Sequence, residues 1–203
     1  MINALRFLLL QVRNPDDSML AAEVDSFARA LRVRREQIAV ADLLAGFPSQ
    51  GQLDACDIVL LGGSGEYSVA ADSPWLDPIL AGLAGMCEQG KATFASCWGF
   101  QAIARALGGR VIHDVERAEV GTLRVHLTDA ARGDPVFGQL PATFMAQLGH
   151  EDHVIELPPG AVRLAYSDQV ANEAFRLAGR PIYCTQFHPE LNRADFLARL
   201  EAY

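Results

Sequence analysis

The sequence predicts an α/β protein with a mostly parallel sheet, helices on both faces of that sheet, and an antiparallel extension. Three observations support this fold class. Continuous apolar runs alternate with segments of helical periodicity through the first half of the chain. Two of these runs end in tight turns that contain glycine. The second half consists of short strand-like segments separated by turns, which are typical of antiparallel pairing.

The elements of the first half follow in order as βα units. We predict strands over 5–12, 37–44, 57–61 and 92–95, helices over 18–31 and 75–89, a further helix that ends at Gly108-Gly109, and a turn-rich connection over 46–53. Consecutive βα units require a parallel sheet, because each helix must cross back over the sheet to reach the next strand.

The second half is predicted to extend the sheet. Strand-like segments cover 111–115, 122–128, 143–148, 153–157, 162–167 and 181–187, with a short helical turn near 134–139. No linker rich in proline, glycine or serine interrupts the chain, and no repeat is visible. We therefore expect one domain over residues 1–203.

Composition excludes several classes of function. The net charge of −8 and the lack of a basic stripe argue against nucleic-acid binding. No apolar run is long enough to cross a membrane. The apolar stretch at 1–12 has no basic leader and no cleavage site, so it is interpreted as the first strand. The four cysteines are scattered without metal-ligand spacing, which favours reduced thiols and a cytoplasmic location.

The segment 91–109 contains the first candidate for chemistry. An apolar strand leads into a tight turn through Cys97 and then into helical spacing. Small residues two positions away, Ala95 and Gly99, allow the strand and helix to approach closely, as in a nucleophile elbow. The helix dipole would favour the reactive thiolate. On this segment alone, Cys97 is equally consistent with a small buried hydrophobic residue.

The last predicted strand ends in a base and a carboxylate. Residues two apart in an extended segment share a face, so His188 and Glu190 point the same way, with Pro189 fixing φ between them. A histidine oriented by a carboxylate is what a thiol nucleophile requires. An isolated His-Pro-Glu sequence is more often a surface turn.

Two further features carry weaker signals. The loop Gly62-Gly63-Ser64-Gly65 follows a strand but matches neither phosphate-binding glycine motif. Ligands bind parallel sheets at the carboxyl ends of the strands, so we expect this loop and Cys97 at one edge. The spacing of His150, Asp152 and His153 is weak support for a metal site, and we expect neither a metal nor a cofactor.

Together these segments resemble the class I (triad) glutamine amidotransferases. Residues 96–101 read Ser-Cys-Trp-Gly-Phe-Gln, against the family's G-x-C-x-G-x-Q, and residues 186–190 read Gln-Phe-His-Pro-Glu. The glycine loop, Gly-His-Glu-Asp-His-Val at 149–154 and Asn-Glu-Ala-Phe at 172–175 add weaker matches. The resemblance implies a flavodoxin-like sheet, and the nearest likeness is to the glutaminase domain of GMP synthetase.

The resemblance also implies a mechanism. The cysteine thiolate attacks the side-chain amide of glutamine, backbone N–H groups hold the oxyanion, and a γ-glutamyl thioester is then hydrolysed. The residues that it implies are Cys97, His188 and Glu190 for catalysis, and Gly62, Gly63, Trp98, Gln101 and His150 for oxyanion or substrate binding.

The sequence departs from the family pattern at three places. Ala95 stands where the family usually has glycine. The loop reads Gly-Gly-Ser-Gly-Glu-Tyr-Ser-Val where the family has Gly-Gly-Pro closely followed by Ser-Val, so the second oxyanion donor is open. Gln147-Leu148-Gly149 replaces an aromatic-Met-Ser segment, which leaves the substrate contacts open.

Three functions remain at this point. The chain is a glutaminase or stand-alone amidotransferase, for which the potential partner is a separate synthetase subunit. Alternatively, it hydrolyses a γ-glutamyl peptide or amine conjugate. A non-catalytic binding protein on the same fold is disfavoured, because all three triad positions are intact. The expected ligand is glutamine or a γ-glutamyl compound, without nucleic acid or membrane.

Overall fold

The strands and helices alternate along the chain as predicted. This computed structural model describes residues 4–203, so the start of the apolar stretch 1–12 lies outside the described residues. The strands are β1 Phe7–Gln11, β2 Ile38–Asp42, β3 Ile58–Leu61, β4 Thr93–Ser96, β5 Arg110–His113, β6 Glu119–Leu127, β7 Thr143–His150, β8 Asp152–Glu156, β9 Ala161–Ser167, β10 Ala174–Leu177 and β11 Ile182–Thr185. The helices are α1 Met19–Leu31, α2 Gln50–Asp54, α3 Leu76–Glu88, α4 Trp98–Ala106, α5 Asp129–Arg132 and α6 Arg193–Ala202.

Within residues 4–203, nine strands form the main sheet in the order β2-β1-β3-β4-β11-β10-β9-β6-β7. The strands from β2 to β11 are parallel to their neighbours. The strands from β10 to β7 continue the sheet in antiparallel fashion. The predicted flavodoxin-like parallel sheet with an antiparallel extension is confirmed.

Helices cover both faces of the parallel half because β1 is apolar on both sides. Phe7 and Leu9 pack with the apolar face of α1, whereas Leu8 and Leu10 pack with α3 and α4 on the other face. Burying each such side chain contributes about 1.5–3 kcal/mol. Helix α6 packs against α1, where Arg29 pairs with Asp195. Helices α1 and α6 therefore lie on one face, and α3 and α4 on the other.

One predicted strand of the extension lies elsewhere. The segment 111–115 was expected in the main sheet, but β5 pairs antiparallel with β8 in a separate two-stranded sheet. The physical reason is burial, since Val111 and Val154 join the core on the α3–α4 side. This pair places Asp152 and its neighbours beside the carboxyl edge of the main sheet.

Short helices replace predicted loops. The connection 46–53 contains α2, which begins at a capping box in which Ser49 and Gln52 bond each other's backbone N–H. The helical turn near 134–139 is a 3₁₀ turn at Phe137–Gln139, preceded by α5. Helix α6 escaped prediction because Phe196 is its only buried residue, although Asn192 and Asp195 form a capping box at its start.

A membrane-spanning helix would need about 20 predominantly apolar residues. No helix within residues 4–203 combines that length with that composition.

Candidate active site

Cys97 lies in a strained turn between β4 and α4. Its φ of 53° and ψ of −107° are sparsely populated by residues other than glycine. The turn is fixed from outside, because the N–H of Cys97 donates to the Thr185 carbonyl at 2.8 Å. Gly99 makes the close approach possible, since a Cβ there would lie 2.5 Å from Leu61 Cβ. The predicted strand–turn–helix arrangement is therefore present.

His188 and Glu190 follow β11 and meet Cys97 at the same edge. The Nδ1–H of His188 donates to Glu190 Oε1 at 2.7 Å, and the hydroxyl of Ser96 donates to the same oxygen at 3.2 Å. The His188 ring is also hydrogen-bonded to the Cys97 thiol. Cys97, His188 and Glu190 are each 5% exposed or less. The structure thus brings the three predicted triad residues into one buried chain of contacts.

Charge and burial compete at the His188–Glu190 pair. Burial alone would lower the pKa of His188, but the Glu190 carboxylate and Cys97 outweigh it and raise that pKa to about 9. Burial would raise the pKa of Glu190, yet the His188 charge and hydrogen bond outweigh it, so that pKa is lowered. At neutral pH the pair is an imidazolium beside a carboxylate, and His188 can supply a proton.

The glycine loop packs directly over the triad. A Cβ at Gly63 would lie 2.8 Å from His188 Cε1 and 3.5 Å from Cys97 Cβ. The Gly62 carbonyl accepts from the N–H of Gly99 at 3.1 Å, which anchors the loop to α4. Gly62 and Gly63 therefore share one edge with Cys97, as predicted from the carboxyl ends of parallel strands.

Trp98 is the first residue of α4, and its N–H is one of the helix-start donors without an intrahelical acceptor. Because it directly follows Cys97, this donor lies next to the thiol. Its predicted oxyanion role, like that of the glycine loop, stays a prediction.

Gln101 and His150 lie on the α4 side of the site. The Gln101 amide donates to the carbonyl of Asp152 at 3.0 Å and to Gln186 Oε1 at 3.2 Å. The His150 side chain is turned inward, with Nδ1 donating to the same Asp152 carbonyl at 3.0 Å. The neighbouring Gly149 carbonyl lies 3.8 Å from the Cys97 sulfur. Direct substrate contacts by Gln101 and His150 stay predictions.

Behind His150 lies a buried cluster with Glu119 and Glu173. Its ligand-type atoms lie within 4.8 Å of one another, which is a set that could hold a metal ion. His150 Nε2 is 3.2 Å from Glu119 Oε2. Burial, then the hydrogen bond and charge of Glu119, raise the pKa of Glu173 well above its ordinary value. A protonated Glu173 beside Glu119 satisfies the cluster without an ion, and the absence of a metal stays a prediction.

A cavity of about 510 Å³ opens above Cys97 and His188. Sequence analysis missed one of its walls, which is built by Arg13, Phe196, Arg199, Leu200 and Tyr203. Arg13 comes two residues after β1, so the rule about strand ends could have found it. The residues of α6 carry no local signal for a site.

Among the four cysteines, Cys97 is the one that lines this cavity. Cys56, Cys87 and Cys184 are buried and unpaired. Burial raises the pKa of Cys87 to about 12 and that of Cys184 well above its usual range. Cys87 and Cys184 therefore remain protonated at neutral pH, which makes them poor nucleophiles.

A strained cysteine beside a buried His–Glu pair, at the carboxyl edge of a flavodoxin-like sheet, defines the class of cysteine-dependent triad hydrolases. The chain belongs to the family Glutamine amidotransferase class-I, which matches residues 22–198.

Relatives with two kinds of name support this membership. Gamma-glutamyl peptidase 3 of Arabidopsis thaliana is 29% identical over 150 residues, which cover 72% of this chain and 59% of that protein. GMP synthase [glutamine-hydrolyzing] of Leifsonia xyli subsp. xyli is 36% identical over 142 residues, covering 68% of this chain and 26% of that protein. The chain thus spans less than two thirds of these relatives' length.

A solved structure shows the same fold. A glutamine amidotransferase from Thermotoga maritima superposes with a TM-score of 0.77 at 22% identity, covering 98% of this chain and 82% of that one.

Proposed function

We propose that this chain hydrolyses the side-chain amide of glutamine through Cys97, His188 and Glu190. The observation that carries the proposal is the buried chain of contacts from Cys97 through His188 to Glu190 Oε1. The thiolate forms a C–S bond to the amide carbon, the C–N bond breaks, and His188 gives its proton to the departing ammonia. His188 then takes a proton from water, which attacks the thioester and releases glutamate.

Stabilisation of the oxyanion supplies the second part of the mechanism. The N–H of Trp98 and the loop at Gly62-Gly63 are the backbone groups beside Cys97 in this proposal. Preorganised donors of this kind contribute about 2.7–4 kcal/mol each to the stability of the transition state. Gln101 binds the glutamyl part of the substrate from the α4 side.

We further propose that a separate synthetase consumes the ammonia. A relative from Thermococcus kodakarensis, 38% identical over 99 residues, carries a name that makes it one of the subunits of a glutamine-hydrolysing GMP synthase. Glutaminases that supply a synthetase gain nothing from hydrolysing glutamine alone, so the isolated chain should be slow. A catalytic thiol must stay reduced, which supports a cytoplasmic location.

The size of the cavity favours a second candidate, hydrolysis of a γ-glutamyl peptide or amine conjugate. The space of about 510 Å³ extends from Cys97 along α6, and it exceeds what a single glutamine requires. The name of the Arabidopsis thaliana relative, gamma-glutamyl peptidase, points the same way. The chemistry is the same, with an amine leaving in place of ammonia.

One assay tests both candidates. Release of ammonia from glutamine and of amines from γ-glutamyl compounds is measured for the purified chain, with and without cell-extract fractions. Cys97→Ser should lower every hydrolytic activity by at least about 10³-fold without unfolding the chain. Cys56→Ser, which changes a buried thiol outside the cavity, is the matched control and should retain activity.

The outcomes separate the ideas. Substantial activity of Cys97→Ser would exclude the triad. Brisk hydrolysis of glutamine by the isolated chain would exclude dependence on a partner, and brisk hydrolysis of a conjugate would favour the second candidate.

A further inference from the structure

The wall of the cavity formed by α6 has no role in the triad chemistry described above. Phe196, Arg199, Leu200 and Tyr203 project from this helix and its end toward the cavity. Three of them present apolar or aromatic surface, and Arg199 adds a positive charge. A wall that is apolar with one charge is suited to a molecule with both characters.

Arg199 and the general acid lie on the same side of Cys97. The position that a Cβ would occupy at Gly63 is 2.8 Å from His188 Cε1 and 3.4 Å from an Nη atom of Arg199. His188 uses Nδ1 to bond Glu190, so Nε2 must transfer the proton. The leaving nitrogen therefore has to lie against His188, and the rest of the leaving group next to α6.

The glutamyl part of a substrate occupies the opposite side. Gln101 belongs to α4, which covers the other face of the sheet from α1 and α6. A substrate held by Gln101 and attacked by Cys97 thus directs its leaving group across the sheet edge toward Arg199. This step rests on the proposed γ-glutamyl hydrolysis.

The Arg199 guanidinium has an unused donor. Its nearest carboxylate, Glu23, is already paired with Arg13 at 2.9 and 3.2 Å and accepts from Gln11 at 2.9 Å. Arg199 Nη2 lies 3.5 Å from Glu23 and has no hydrogen bond within residues 4–203. The side chain is only 12% exposed, so little water replaces the missing partner.

The other charged groups of this wall are engaged. Arg13 donates to Glu23, Asp17, Tyr203 and the Gly63 carbonyl. The Glu66 carboxylate, which also lines the cavity, accepts from Asn14 at 2.5 Å. Arg199 is therefore the group of this wall, within the described residues, with a charge and a donor left to offer a ligand.

We propose that Arg199, with Phe196, Leu200 and Tyr203, forms a subsite for a leaving group that carries a carboxylate and an apolar side chain. The substrate class is a γ-glutamyl amino acid or peptide. Arginine binds carboxylates through paired N–H groups, which gives both strength and orientation. On cleavage the C–N bond breaks, the amino group takes the proton from His188, and the free amino acid departs along α6.

Binding to an inactive chain tests the subsite independently of turnover. In a Cys97→Ser background, calorimetry compares γ-glutamylphenylalanine with γ-glutamylphenethylamine, which differ only in the carboxylate. The carboxylate compound should bind roughly 10-fold or more tightly. Adding Arg199→Met should remove that preference, and Arg199→Lys should retain part of it. Arg193→Met changes an exposed arginine of the same helix and should have no effect.

Hydrolysis by the Cys97-intact chain provides the second measurement. Arg199→Met should raise KM for γ-glutamylphenylalanine and leave kcat/KM for γ-glutamylphenethylamine unchanged. Equal binding of the two compounds, absence of binding by either, or a preference that survives Arg199→Met in a folded protein would overturn the subsite. Cys97-dependent hydrolysis without a carboxylate preference would overturn the subsite and leave the proposed function intact.

Discussion

His188 shows how two opposing forces determine the protonation of a single side chain. Burial lowers its pKa, and the adjacent Glu190 carboxylate reverses that effect and raises it to about 9. The stabilisation from this pair is fully present below pH 6.5, the ordinary pKa of histidine, and is lost as pH rises through about 9. Glu190 therefore controls both the charge and the orientation of the general acid.

Glu190→Gln should lower turnover by about 10²-fold, because the amide keeps the shape of the carboxylate but removes its charge. With burial then dominant, the pKa of His188 falls, and the alkaline limb of the kcat/KM profile should move to lower pH. The measurement is the pH profile over the full range in which the chain stays folded. Glu201→Gln, an exposed carboxylate on α6, is the control. An unchanged alkaline limb would reduce Glu190 to a turn residue.

At the scale of elements, the glycine loop after β3 depends on the absence of side chains. Gly62 packs on Glu23, and a Cβ there would overlap the Glu23 carboxylate. Gly63 packs on His188 and Cys97, and its carbonyl accepts from Arg13 at 3.1 Å. Strand, helix and loop can meet at this edge only because both positions are glycine.

Gly63→Ala should reduce turnover strongly, since the new methyl group would displace the His188 ring while the buried core is unaffected. Turnover and melting temperature are measured together. Gly85→Ala is the matched control, because nothing lies within 4 Å of the new Cβ in α3. That control should keep full activity and gain about 0.5–1 kcal/mol from helix propensity. Wild-type activity of Gly63→Ala would show that the loop has more room than the structure gives it.

At the scale of the whole molecule, a buried polar cluster joins the antiparallel extension to the catalytic edge. Glu119 lies on β6, His150 ends β7, and Glu173 precedes β10. The carbonyl of Glu173 accepts from the N–H of Gln186 at 2.7 Å, on the segment that leads to His188. Burial would raise the pKa of Glu119, but hydrogen bonds from His150 and Glu173 lower it. The cluster thus stabilises the extension when Glu119 is charged and Glu173 is protonated.

Opposite changes in stability follow for the two carboxylates. Above about pH 4.5 the unfolded chain loses the Glu173 proton and the folded chain keeps it, so stability falls as pH rises. Glu173→Gln should reduce this decline in melting temperature between acidic and neutral pH. The stability contributed by Glu119 is present above about pH 4.5 and is lost at lower pH. Glu119→Gln should therefore cost about 1–3 kcal/mol at neutral pH. Identical effects of the two variants at every pH would contradict this assignment.

The parallel half of the fold follows from local pattern, and the extension follows less well. Continuous apolar runs and helical spacing specify strands that pack on both sides, so β1 to β4 and their helices were predicted within a few residues. Periodicity carries no information about partners, and β5 was therefore assigned to the wrong sheet. The single domain over residues 1–203 stays a prediction.

The sequence by itself determined the chemistry of this protein. The tight turn at Cys97 and the spacing of His188 and Glu190 are local features, set by glycine, proline and residue alternation over a few positions. Only the tertiary structure decided what surrounds them. Arg13 and Arg199 are separated by nearly the whole chain, and they meet over the glycine loop because α6 packs on α1. No local propensity encodes such a contact, since the free energy that fixes it comes from burial between distant elements.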